Sequence, residues 1–312
     1  MSTPRGQVST KGVRHQKVSD ALMRFDEAYS GNVFIGSHPV FEESQVVLYG
    51  MPMDWTVSYR PGSRFGPARI REVSIGLEEY SPYLDRELDE VNYFDAGDIP
   101  LPFGNPQRSL DLIEEFVTEV LAAGKFPLGM GGEHLVSWPV MRAVFKNYPD
   151  LAIIHMDAHT DLREQYEGEE LSHSTPIRKI AELIGPSNVY SFGIRSGMKE
   201  EFAWAKENGM HISKFEVLEP LKEVLPKLAG RPVYVTIDID VLDPAHAPGT
   251  GTVDAGGITS KELLASIHEI ARSQVNVVGA DLVEVAPVYD VSEQTANTAS
   301  KLIREMLLGW VK

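Results

Sequence analysis

The 312-residue chain contains no cysteine, which excludes a disulfide, a thiolate nucleophile and a thiolate metal site. Any metal ion must therefore be held by nitrogen and oxygen. It also lacks any run of about 18 uninterrupted apolar residues, the length a membrane-spanning helix needs, so no membrane partner is expected. Positive charge is scarce: 29 Lys and Arg stand against 45 Asp and Glu, a formal net charge of −16. That balance argues against nucleic acid or an anionic membrane as a partner, and weakly favours cationic ligands. Residues 1–22 carry Arg5, Lys11, Arg14 and Lys17 but no apolar segment, so they do not read as a secretory signal, and a cytoplasmic location is expected. They are polar and aperiodic and read as a flexible extension, natural or an added tag, with one domain over 23–312 opening at Met23.

What the chain does have is a series of short apolar segments at 46–49, 92–95, 126–130, 151–156, 188–194, 210–213, 232–239 and 275–283. Several, such as 151–156, are apolar at every position instead of alternating, which suits strands of a parallel sheet covered by helices on both sides. Helical patterns fall between them. Over 109–123 the residues Leu110, Ile113, Val117, Val120 and Leu121 form one stripe, and Gly124 supplies a stop. Thr259 and Glu262 make a capping box ahead of Leu263, Leu264, Ile267 and Ile270, and a last helix is expected over 292–308, ending at Gly309. Gly66-Pro67 marks another helix start. Strands alternating with helices imply a parallel, right-handed α/β layout. No repeat, low-complexity tract or linker follows residue 22, so one domain is expected.

Four polar segments follow these apolar strands: Gly131-Gly132-Glu133-His134, Asp157-Ala158-His159-Thr160-Asp161, Asp238-Ile239-Asp240, and Glu284. Charged groups at the ends of buried strands are unfavourable unless something compensates them. In open parallel sheets, ligand sites collect at the carboxyl ends of the strands. The glycines are expected to let the backbone turn sharply before His134. Asp157, His159 and Asp161 are spaced by two, as are Asp238 and Asp240, so in extended conformation each set faces one way. Two imidazoles and four carboxylates exceed what one structural zinc takes, and suit two hard or borderline ions with bridging carboxylates, manganese first. An Asp at a strand end can instead cap a helix or start a turn, as Asp243-Pro244 is expected to do. His155 is expected to be a hydrogen-bonded core residue, turned to the face away from the His159 neighbourhood. Such alternatives explain any one motif but not three together.

Gly-Gly-Glu-His, Asp-Ala-His-Thr-Asp and the segment from Asp238 through Asp243-Pro244-Ala245-His246-Ala247-Pro248-Gly249-Thr250-Gly251 resemble the signatures of the ureohydrolase family. The resemblance extends from about Met23 to the C-terminus and takes in Arg60-Pro61-Gly62-Ser63-Arg64 and Asp281 to Pro287. It implies a three-layer α/β/α fold with a parallel sheet of about eight strands. It also implies two Mn²⁺ per chain, bridged by Asp157 and Asp238, with His134 and Asp161 completing one shell and His159 and Asp240 the other. The implied activity is hydrolysis of agmatine, a small cationic guanidino substrate, to putrescine and urea. Glu284 would bind the guanidinium, Asp161 would carry a proton to the leaving amine, and His173 in Leu171-Ser172-His173-Ser174 would exchange protons with solvent. A homo-oligomer, hexameric, is implied as well. One departure is visible: the family more often has Asp where Glu133 stands.

The far end of the substrate is less defined. The loop Leu162-Arg163-Glu164-Gln165-Tyr166-Glu167-Gly168-Glu169-Glu170 departs from the arginase pattern at Arg163, while its glutamates favour an amine terminus or form a solvated face. Arg163 keeps a guanidino-acid hydrolase as the alternative, with an arginase beside it. Arg60, Arg64, Arg69 and Arg71 read as structural or surface arginines, and Asp54, Trp55 and Tyr59 as groups near enough to contact a substrate tail. A metal-dependent deacylase would show adjacent histidines, which are absent, and a non-catalytic family member would have lost ligands, whereas all six are present.

Overall fold

Successive side chains of a strand point to opposite faces, so a strand that is apolar at every position must be covered on both sides. The computed structural model, which describes residues 32–311, folds the chain accordingly. In chain order its elements are β1 (Val46–Met51), α1 (Gly66–Ser74), β2 (Tyr80–Ser81), β3 (Arg86–Glu87), β4 (Tyr93–Asp98), α2 (Pro106–Ala122), β5 (Phe126–Gly131), α3 (Ser137–Asn147), β6 (Ala152–Met156), α4 (Pro176–Ile184), β7 (Val189–Ile194), α5 (Lys199–Glu207), β8 (His211–Lys214), α6 (Leu218–Val224), β9 (Pro232–Asp238), α7 (Ser260–Arg272), β10 (Asn276–Val283) and α8 (Gln294–Trp310). Eight strands form one sheet in the order β4-β1-β5-β10-β9-β6-β7-β8, every neighbouring pair parallel. β2 and β3 form a separate antiparallel pair. The eight apolar segments of the sequence are these eight strands, with ends that coincide or shift by up to three residues. The extension expected at 1–22, and its boundary at Met23, lie outside the described residues.

The layers follow from the side chains. One core is built from one face of the sheet (Val46, Leu48, Leu128, Ile154, Val235) and from α1, α6, α7 and α8. The other takes the alternate strand residues (Val47, Tyr49, Met51, Ile153, Tyr234) and packs them against α2, α3, α4 and α5. This is the expected three-layer α/β/α arrangement.

Helix ends largely obey local chemistry. Asn105 Oδ1 accepts the Arg108 N–H at 3.1 Å and Pro106 opens the first turn, so α2 begins three residues before the apolar stripe suggested. Gly124, at φ 71°, terminates it. Thr259 Oγ1 accepts the Glu262 N–H at 3.2 Å, the N-cap half of the expected capping box. Gly309 corrects the expectation: α8 runs through it to Trp310. A Cβ there would lie 2.9 Å from the Ala271 Cβ on α7, so this glycine permits close helix packing and is not a stop.

Candidate functional site

β5, β10, β9 and β6 are consecutive neighbours at the middle of the sheet, and each is followed by one of the four polar segments. Their carboxyl ends therefore deliver the polar groups to one place. Gly131 and Gly132 are needed there for close approach, not for an unusual φ: a Cβ would sit 2.4 Å from Val283 Cγ1 at the first and 1.9 Å from the Met53 carbonyl oxygen at the second.

The convergence is not achieved by extended alternation. β6 ends at Met156, and Asp161 has a left-handed backbone with φ 49°. β9 ends at Asp238, and Asp240 lies in the 3-10 turn Ile239–Val241. Within these turns Asp157 faces the imidazoles of both expected ligand histidines. Its Oδ2 is 3.0 Å from His134 Nδ1 and its Oδ1 is 3.5 Å from His159 Nδ1. Asp161 Oδ2 and Asp238 Oδ2 each lie 3.3 Å from His134 Nδ1, and Asp240 Oδ2 lies 2.9 Å from His159 Nδ1. Asp238 Oδ1 accepts the Asp240 N–H at 2.9 Å, and Asp240 Oδ1 accepts the Ala158 N–H at 3.1 Å. All six residues expected to hold metal are thus gathered in one cluster.

His134 tests whether cations fit. Its Nε2 lies 3.0 Å from Thr236 Oγ1, and that hydroxyl donates to Asp281 Oδ1 at 2.5 Å, so Nε2 carries the hydrogen it donates to Thr236. Tyr234 donates to the other Asp281 oxygen at 2.7 Å. The remaining nitrogen, Nδ1, is buried, faces three carboxylate oxygens and has no hydrogen-bond partner. A bare nitrogen among carboxylates, with its tautomer set from behind by a carboxylate-bound hydroxyl, is the arrangement of a metal ligand. Nitrogen and oxygen donors alone suit a hard or borderline divalent ion.

Electrostatics agree. Burial, followed by the charges of Asp240 and Asp157, raises Asp238 well above the usual carboxylate range, and burial raises Asp240 as well. Burial opposes ionisation of Asp157 too, but the imidazoles of His134, His155 and His159 around it outweigh burial and hold its carboxyl well below that range. Burial would depress His159, yet Asp240 and Asp157 overcome it and push the imidazole up to about 12. Burial would likewise depress His134, but Asp157, Asp161 and Asp238 raise it well above its ordinary value. The cluster is a concentrated negative field that cations stabilise.

Above it opens a cavity of about 360 Å³. Its lining includes His159, Asp161, Asp238, Asp240, Glu284, His173 and Arg163. Glu284 follows β10 with a left-handed φ of 65°, and its Oε1 accepts the His134 N–H at 2.8 Å. Burial first, then the charge of Glu133, raises its carboxyl to about 8. His173 donates from Nδ1 to the Thr56 carbonyl at 2.7 Å, which leaves Nε2 as the open nitrogen, 3.2 Å from Ser58 Oγ. Arg163 lies over the Tyr166 ring, 5.0 Å from its centroid.

Other expectations divide. Asp54 is buried and holds the Gly62 N–H and the Arg64 guanidinium, so it is structural, and neither it, Trp55 nor Tyr59 lines the cavity. Arg71 is buried against Asp95 and Asp98, and Arg60 donates to the carbonyls of Thr250 and Gly251, as structural arginines do. Asp243 makes the expected turn, accepting the N–H groups of Ala245, Gly256 and Gly257. His155 is a hydrogen-bonded core residue, but it does not face away: its Nε2 lies 2.8 Å from Asp157 Oδ2 and its Nδ1 2.9 Å from Ser191 Oγ. Two residues apart across the end of β6, His155 and Asp157 meet on one face, a spacing the sequence contained. Thr56, Thr236, Tyr234 and Asp281 as supporting groups were missed, because nothing local to them signals their partners.

A sheet of this order, with a nitrogen–oxygen metal cluster at the ends of its central strands, defines a metal-dependent hydrolase of the α/β/α type. The model of the arginase family matches residues 44–309, and the chain belongs to that family. It is 86% identical over 290 residues to an agmatinase of Bacillus subtilis (strain 168), covering 93% of this chain and 100% of that protein. An agmatinase of Bacillus anthracis is 83% identical over 290 residues, with the same coverage. Among solved structures, that of a putative agmatinase from Clostridium difficile superposes with a TM-score of 0.85 at 38% identity, covering 87% of this chain and 99% of that one.

Proposed function

We propose that this chain hydrolyses agmatine to putrescine and urea, with two Mn²⁺ held by His134, Asp157, His159, Asp161, Asp238 and Asp240. The single observation that carries the site is the unpartnered, buried Nδ1 of His134 amid three carboxylates, two of which, Asp161 and Asp238, line the cavity. The substrate follows from the agmatinases that are 83–86% identical over nearly the whole chain.

When bound, the cations supply Lewis acidity that makes water a competent nucleophile near neutral pH. The protein supplies the rest. Glu284, on the cavity wall with its Oε1 fixed by the His134 N–H, accepts guanidinium N–H groups and holds the central carbon above the cluster. Such positioning contributes on the order of 7 kcal/mol in favourable cases. Asp161 takes a proton from the attacking water and delivers it to the departing amine as the C–N bond breaks. His173 passes protons between the cavity and solvent through Nε2, since Nδ1 is committed to Thr56. The acidic cavity floor suits a cationic substrate.

A single catalytic domain over 23–312 and a cytoplasmic homo-oligomer, hexameric by family resemblance, complete the reading. Among the described residues no helix is long and apolar enough to cross a membrane.

Arg163 supports a second reading, a guanidino acid as substrate. It lines the cavity, and no carboxylate among the described residues lies within salt-bridge distance of it, so it would suit a carboxylate tail. Urea release from agmatine, arginine, guanidinobutyrate and guanidinopropionate by the manganese-loaded protein separates the two. Agmatine is expected to turn over far faster than the rest, and comparable or faster turnover of a guanidino acid overturns the assignment.

A further inference from the structure

Glu133 is wholly buried yet is not among the metal-facing groups, and the reading above gives it no task. Its backbone N–H donates to the Met53 carbonyl at 2.7 Å, which stitches the segment after β5 to the loop after β1. Its carboxylate then reaches three residues further along that loop. Oε2 accepts the Thr56 N–H at 2.8 Å and Oε1 accepts the Thr56 hydroxyl at 2.6 Å. Thr56 in turn holds His173 by two bonds. Its Oγ1 accepts the His173 N–H at 2.9 Å and its carbonyl accepts from Nδ1 at 2.7 Å. The hydroxyl that donates to Glu133 is therefore the one that accepts from His173, and the carbonyl of the same residue selects the Nδ1–H tautomer.

From this geometry we infer that Glu133 is a positioning residue for His173, acting through Thr56. It is not a catalytic residue, since it touches neither substrate nor cluster; it holds the Thr56 peptide so that its carbonyl takes the His173 Nδ1–H and leaves Nε2 as the nitrogen beside Ser58, both His173 and Ser58 lining the cavity. The extra methylene of Glu over Asp supplies the reach, because one carboxylate must span to both the N–H and the hydroxyl of Thr56. The inference rests on the proton-passing role of His173.

The test uses the manganese-loaded protein, with kcat, KM and bound metal measured in dilute buffer and again with added imidazole as an external proton carrier. Thr56→Val removes the hydroxyl but keeps the carbonyl, Glu133→Gln leaves one acceptor where two are needed, and Glu133→Asp shortens the reach. Each is expected to lower kcat by about tenfold, a fraction of what a lost acid–base group costs, with KM and metal content as in the parent. Imidazole is expected to restore most of that loss, as in His173→Ala, and Thr56→Ser to recover most of what Thr56→Val loses. A fall in kcat that imidazole does not restore, a loss of metal, or an unchanged kcat in all three variants overturns the inference while His173→Ala still responds to imidazole. If His173→Ala does not respond either, the role assigned to His173 fails, and the inference falls with it.

Discussion

Asp161 and Glu284 hold left-handed backbone conformations, at φ 49° and 65°, that cost about 1–2 kcal/mol for residues with a Cβ. Both are anchored by hydrogen bonds: Asp161 by the Arg178 N–H on its carbonyl, Glu284 by its own N–H on the Gly132 carbonyl and by its carboxylate on the His134 N–H. Strain of this kind at two cavity residues turns their carboxylates inward, which extended chain would not do. It is also why the candidate residues could be picked from the sequence while the reason for their convergence could not. Spacing by two marked Asp157, His159 and Asp161, but Asp161 arrives through a turn. The partners of His134 and His173, namely Thr236, Asp281 and Thr56, are far away in sequence and carry no local signal. The same scale separates ligand from support. His159→Ala should lose about one of two bound metal equivalents. Its kcat should fall by at least the ~10–100-fold in affinity or activity that changing a supporting partner produces. His155→Ala, which removes hydrogen bonds to Asp157 and Ser191 but no expected ligand, should stay within that ~10–100-fold range and keep both equivalents at saturating metal. Metal analysis beside kinetics checks both, and full retention of metal and activity in His159→Ala removes the cluster assignment.

At the scale of elements the strands were legible almost completely, because a short segment buried on both faces must be apolar throughout, and few other elements need that. Helix starts were legible where a side chain caps them, as at Thr259. Gly309 was not, since a glycine at a helix end and a glycine at a helix crossing look alike in sequence. The crossing has a direct consequence. Gly309→Ala should gain about 1 kcal/mol from helix propensity. The new Cβ, however, meets Ala271 Cβ at 2.9 Å, and overpacking of this kind costs about 1–3 kcal/mol. A net loss of thermal stability is expected, and Ala271→Gly in the same chain should recover part of it, because it removes the opposing atom. Melting temperatures of the two single variants and the double variant form the cycle that checks this. Additive effects would show that α7 and α8 do not meet there.

The molecule as a whole places four anionic strand ends side by side at its centre, an arrangement set by the order β5-β10-β9-β6. That order joins strands distant in sequence, so it could not be read from the apolar pattern, which gives the strands but not their neighbours. Its energetic consequence is general. Burial and mutual repulsion raise Asp238 and Asp240, so a large part of the sheet's carboxyl edge is held at an electrostatic disadvantage that bound cations relieve. Ligands that bind the folded chain and not the unfolded one stabilise it by mass action, about 2.7 kcal/mol per site at a free concentration of about 100 times Kd. For a chain of this length about 1 kcal/mol moves Tm by roughly 2 °C, so two ions should contribute on the order of 10 °C. Exhaustive chelation is therefore expected to lower Tm by about that amount and to abolish urea release together, and added Mn²⁺ to restore both in parallel. The shift should rise with the logarithm of free metal, which a series of scans at increasing Mn²⁺ measures. A Tm indifferent to chelation and to added metal would mean that the six groups do not hold ions at the centre of the sheet.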